Sequence, residues 1–197
     1  TKMSATQALV AFQGASGFLR ACTLDVSGTT VTAGTILVNA YGQYISVTGL
    51  STTQALVTYG NGVGYLAAYT LNISGTTVTA GTALTVNAVG SLYMAATTLS
   101  PTKALVVYQG TSNYMQACVL SVSGTTVTAG AILTANAVAS EAFGITTVSS
   151  TQVLVAYRSS GVQTITLNVT GGAGTIITTG SGLQINTNTA PYNAVTT

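Results

Sequence analysis

The phrase SGTTVTAG occurs three times, at residues 27–34, 74–81 and 123–130. A second phrase precedes it each time and once more besides: TQALV at 6–10 and 53–57, TKALV at 102–106 and TQVLV at 151–155, at intervals of 47, 49 and 49 residues. Chemistry needs one site per domain, whereas architecture needs one device per unit. A period of this length is the mark of stacked supersecondary units, each of which buries its apolar face against the next. Four units, approximately 1–47, 48–96, 97–146 and 147–197, fill the 197 residues as a single domain.

Each unit reads as four short strands, over residues 8–12, 18–26, 30–38 and 44–50 in the first copy, the last leading into the next ALV segment. Thr, Val, Ile and Tyr favour strands, Gly and Ser punctuate them, and no segment carries a 3.6-residue apolar stripe. Within SGTTVTAG the first glycine (Gly28, Gly75, Gly124) falls between two β-branched runs, where a tight hairpin needs positive φ. The second glycine (Gly34, Gly81, Gly130) is expected to let the third strand bulge or bend. In the fourth copy the phrase decays to a looser turn at 170–174. A phosphate cradle would need a helix after the glycines, and Thr-Val-Thr does not start one.

Four-stranded units of this length match the blade of a β-propeller. The stretches LSPTKALVVY at 99–108 and SGTTVTAG at 123–130 resemble the blade repeats of bacterial and phage-encoded extracellular propellers, tail-fibre-like proteins among them. The resemblance covers all four repeats. It implies a secreted or virion-associated binding or structural role, with no shared catalytic residues. The expected fold is therefore all-β, a four-bladed propeller, with an open stacked β-repeat array as the alternative.

The two ends support closure. Residues 1–7 align with 48–54, and 192–197 align with 44–49. A strand over 191–196 would complete the first blade, or would be handed to a neighbour in an open array. The chain opens at Thr1 without initiator Met or signal peptide, as a mature, processed or excerpted chain does.

Charge restricts the partners. Only 3% of residues are charged, against about a quarter in an ordinary soluble domain. A net charge of +2 does not supply the run of phosphate contacts that nucleic-acid binding requires. Mean hydropathy is +0.56, yet Thr, Ser, Gly or Asn interrupts every apolar run before the ~20 residues of a spanning helix, and aromatic girdles are missing, so no membrane insertion is expected. Such a surface suits the extracellular space, among copies of itself or carbohydrate, and self-association into an oligomer or fibre is expected.

Histidine is absent and the carboxylates are Asp25 and Glu141, at different repeat positions. General acid–base and metal chemistry draw on these residue types, so catalysis, metal and cofactor are not expected. Cys22 and Cys118 occupy equivalent places in the first and third repeats, too far apart in a ring for the ~7 Å that a disulfide allows, and are read as buried free thiols.

Aromatics recur by position. Tyr44, Tyr93, Phe143 and Tyr192 mark the fourth strand, and Asn39, Asn87, Asn136 and Asn186 precede them by five to seven residues. Packing with a satisfied hydroxyl is one reading; a ring of carbohydrate-stacking platforms beside amides is the other. Asn72 and Asn168, each before the hairpin, fit the N-glycosylation acceptor pattern. The sequence thus leads to a non-enzymatic extracellular structural or adhesive subunit of a fibre or filament, with a multivalent glycan-binding propeller as the alternative.

Overall fold

The computed structural model describes residues 1–170 and 176–186. Four antiparallel sheets follow one another along the chain. The first holds β1 (Gln7–Gln13), β2 (Phe18–Ser27), β3 (Thr30–Ala33) and β4 (Leu37–Tyr41). The second holds β5 (Gln43–Gly49), β6 (Gln54–Gly60), β7 (Tyr65–Ser74), β8 (Thr77–Ala80) and β9 (Leu84–Gly90). The third holds β10 (Leu92–Ser100), β11 (Lys103–Gln109), β12 (Tyr114–Ser123), β13 (Thr126–Ala129) and β14 (Leu133–Ala139). The fourth holds β15 (Glu141–Ser149), β16 (Gln152–Arg158), β17 (Val162–Thr170) and β18 (Ile176–Asn186). The strand that ends a unit in sequence opens the next sheet in space, so the sheets meet at Gly42, Ser91 and Ser140.

The expected third strand is two strands. β3 and β4 both pair with β2, and the break between them falls at residues 34–36; β8 with β9 and β13 with β14 repeat the arrangement. Its cause is the second glycine. A Cβ on Gly34 would strike the Thr76 carbonyl oxygen and the Thr23 hydroxyl, and one on Gly81 would strike the Thr125 carbonyl and the Thr70 hydroxyl. Those carbonyls belong to the hairpin turn of the following sheet. The Thr35 amide donates to the Thr76 carbonyl at 3.2 Å. Gln7 Nε2 donates to the Gly75 carbonyl at 3.1 Å, and Gln54 Nε2 to the Gly124 carbonyl at 2.8 Å. The phrase is therefore a hairpin, with Gly28, Gly75 and Gly124 at φ near +58°, and also the staple by which the first sheet holds the second and the second holds the third.

Side chains alternate between the two faces of every sheet. Leu9, Leu19 and Ala21 face forward onto Ala55, Val57 and Tyr59. Leu56, Leu66 and Ala68 meet Ala104, Val106 and Tyr108, and Leu105, Met115 and Ala117 meet Val153, Val155 and Tyr157. Nearest the axis, β5, β10 and β15 are joined by hydroxyls, Thr48 to Thr98 at 2.8 Å and Thr97 to Thr147 at 2.9 Å. Cys22 and Cys118 are free and buried; burial pushes the Cys118 thiol up to about 11.

Among the described residues these three interfaces have no fourth, and no apolar core joins the fourth sheet to the first. The four-bladed ring expected from the sequence is not closed here. Phe12, Val26 and Val31, which a closing blade would cover, are exposed. Lys2 bridges Ala8 as Gly49 faces Ala55, so the N-terminal residues take part of the inner edge of the first sheet. The proposed closing strand over 191–196 and the decayed turn from 171 onward lie outside the described residues.

Candidate functional site: clefts between sheets

Tyr44, Tyr93 and Ala142 stand 49 residues apart and share a left-handed backbone, with φ of 49°, 50° and 53°. Non-glycine residues avoid this region, and its repetition at one structural position means that the surroundings impose it. Each sits in a bulge where an inner strand begins: the pairing shifts between Gln43 and Ser46, Leu92 and Ala95, and Glu141 and Gly144. A bulge re-aims a side chain. Here it turns the Tyr44 and Tyr93 rings outward to meet each other, centroids 5.5 Å apart and planes tilted by 58°.

A cleft opens at each of two junctions. The smaller, about 110 Å³, lies between Tyr44, the Asn61–Gly64 turn and Ser91 at the meeting of the second and third sheets. The larger, about 330 Å³, repeats it one sheet on, between Tyr93, Asn113, Ser140, Glu141 and Arg158. Arg158 replaces a position held by Gln109 and Gly60 in earlier sheets, and Glu141 one held by Leu92 and Gln43. The two form an ion pair across neighbouring strands, each side chain about a third exposed. Burial first, and then the facing Glu141 carboxylate, push the Tyr93 hydroxyl up. Gln109 Nε2 donates to the Ser140 carbonyl at 2.9 Å and Ser140 Oγ to the Val138 carbonyl at 2.8 Å, fixing the cleft floor. The result is an aromatic face beside a guanidinium, a carboxylate and backbone groups in a concave wall. Such a set grips a small neutral polyol by hydrogen bonds while an apolar face of the ligand lies on the ring.

Phe143 does not join the tyrosines. It comes one residue after the left-handed position, which Ala142 occupies, and packs inward against the core between the third and fourth sheets. Tyr192 lies outside the described residues. Two of the asparagines act between sheets: Asn87 Nδ2 donates to the Tyr108 hydroxyl at 3.0 Å and to Gln116 Oε1 at 3.2 Å, and Asn136 Nδ2 to the Tyr157 hydroxyl at 3.2 Å and to Ser140 Oγ at 3.3 Å. Asn39 is half-buried on β4, and Asn186 pairs with Val162 as Asn136 pairs with Met115. Asn72 and Asn168 accept from Gln54 and Gln152, at 2.9 and 3.0 Å, in cross-strand pairs matching Gln7 with Asp25. The carboxylates are thus on different sheets, Asp25 held by Gln7 and Glu141 by Arg158. Arg158 and Ser140 went unnoticed as site residues in the sequence; the available signal was the arrival of opposite charges at two positions that are neutral in the preceding repeats.

No protein-family model matches the chain, and no curated protein does. Among solved structures, a fungal lectin from Aleuria aurantia, described as a six-bladed β-propeller with a novel fucose recognition mode, superposes with a TM-score of 0.57 at 17% identity, over 92% of this chain and 61% of that one. A mercury derivative of the fucose-specific lectin from Aleuria aurantia gives a TM-score of 0.59 at 17% identity, over 91% of this chain and 60% of the other. The fold is that of a β-propeller. The chain spans about three fifths of the length of these structures. Four consecutive blades of a six-bladed ring leave the first and the last apart, as the first and fourth sheets are here. These neighbours are lectins, and they lend no support to a tail-fibre origin.

Proposed function

We propose that the chain is a non-enzymatic carbohydrate-binding propeller, acting outside the cell, whose sugar sites are the clefts at Tyr44 and Tyr93. The observation that carries the reading is the tyrosine repeated at the mouth of a cleft between consecutive sheets, its ring aimed outward by the same bulge each time. The lectin neighbours support this reading over a fibre subunit, and their fucose specificity makes a neutral monosaccharide of that size the first ligand to try. Individually weak sites repeated on one face would gain strength through avidity on a multivalent glycan.

The test is a glycan array followed by titration calorimetry with the best ligand, L-fucose included. Tyr93→Ala and Arg158→Gln are expected to weaken binding at the larger cleft about tenfold or more, equivalent to about 1.4 kcal/mol or more. Val148→Ala, exposed near the end of β15 away from Glu141, serves as the control. Absence of any retained glycan, or binding indifferent to both cleft substitutions, overturns the proposal.

A further inference from the structure

The backward face of the first sheet is built like the faces that are buried inside the molecule. Val31 is 59% exposed, while Val78, Val127 and Ile177, at the same place in the next three sheets, are 4–6% exposed. Phe12 is 37% exposed against 0–4% for Tyr59, Tyr108 and Tyr157. Arg20 shares this face, and its Nε is buried without a hydrogen-bond partner. Buried polar atoms are normally paired. At the equivalent position of the third sheet, Gln116 takes a hydrogen bond from Asn87 of the sheet before it.

Among the described residues the forward face of the fourth sheet is unmet in the complementary sense. Leu154 is half-buried where Leu9, Leu56 and Leu105 are buried, and Leu183 is 67% exposed where Leu37, Leu84 and Leu133 lie against the next sheet's core. Among the described residues the first and fourth sheets thus present two unlike apolar faces. What covers each is displayed three times within the chain: the opposite face of the same repeat.

We propose that the backward face of the first sheet in one copy packs on the forward face of the fourth sheet in a second copy. The contact would reproduce the internal interfaces, with apolar side chains meeting and no charge required. It is heterologous, so it closes where the rotations complete a turn and otherwise continues as an open series.

The experiment is sedimentation velocity on the full chain over a wide concentration range, with Val31→Asp for one face and Leu183→Asp for the other. Both side chains are exposed within a single copy, so neither change should disturb folding, and circular dichroism checks this. The unaltered chain is expected to exceed monomer mass, and each variant alone to be monomeric. An equimolar mixture of the two variants should form a dimer, because one pair of faces remains intact. Sodium chloride at about 1 M should leave the assembly in place, since screening does not weaken apolar contacts. A chain that stays monomeric throughout overturns the proposal, and so does a mixture that stays monomeric. Disruption by Val31→Asp but not by Leu183→Asp would mean a symmetric contact between like faces and would overturn it equally.

Discussion

Gly75 and Gly81 belong to one copy of the same phrase and are required for different reasons, which substitution can separate. Gly75 has φ +58° and a Cβ there would meet nothing within 4 Å. Alanine at that position carries only the left-handed backbone penalty, about 1–2 kcal/mol. Asparagine tolerates this conformation and should recover most of the loss. A Cβ on Gly81 would lie 2.5 Å from the Thr125 carbonyl oxygen, which belongs to the next sheet. Something must move, and overpacking of this kind costs about 1–3 kcal/mol. The bond from Thr70 Oγ1 to the Thr125 carbonyl, 3.3 Å long, would be strained with it. At roughly 2–4 °C per kcal/mol for a chain of this size, the alanine variants should lose about 2–8 °C and about 2–12 °C in Tm respectively. These ranges overlap, so asparagine is the discriminating residue. In differential scanning calorimetry Gly75→Asn should melt above Gly75→Ala, whereas Gly81→Asn should melt below Gly81→Ala. Rescue of Gly81 by asparagine, or a wild-type Tm for Gly81→Ala, would refute the assignment of this glycine to contact between sheets.

Two further outcomes are expected. Asn87→Ala leaves the buried Tyr108 hydroxyl without its partner and should cost about 1–3 kcal/mol in urea unfolding; Tyr108→Phe in the same chain should recover part of that, and strict additivity of the two changes would show that they form no clamp. Burial pushes the Cys118 thiol up to about 11 and raises the Tyr69 and Tyr108 hydroxyls as well, so the folded chain keeps protons that the unfolded chain releases from the ordinary thiol range upward. Stability is therefore fully present below that range and falls as pH rises through it towards about 11; a urea midpoint unchanged between neutral and strongly alkaline solution would contradict the burial of these groups.

The repeat, the strands and the hairpin were legible in the sequence because their causes are local. Alternating β-branched residues, a glycine tolerant of positive φ and a period near 49 residues each act within one unit, and four units gave four sheets. The cysteines could be read as buried because they lie in register with apolar neighbours. The site was legible only in part. Tyr44 and Tyr93 were picked out by recurrence, but recurrence of residue type placed Phe143 with them, whereas the backbone sets Ala142 there and sends the Phe143 ring into the core.

What the tertiary structure decided is everything that depends on a neighbour in another strand or in the next sheet. At Gly34 and Gly81 the outer strand breaks where another sheet's carbonyl occupies the place of a Cβ. Asn87 and Asn136 clamp tyrosines across sheets, and Arg158 meets Glu141 because adjacent strands bring them level. Ring closure is of the same kind. A repeat fixes which faces attract one another, but the rotation between successive sheets sets how many complete a turn, and that rotation arises from packing at each interface.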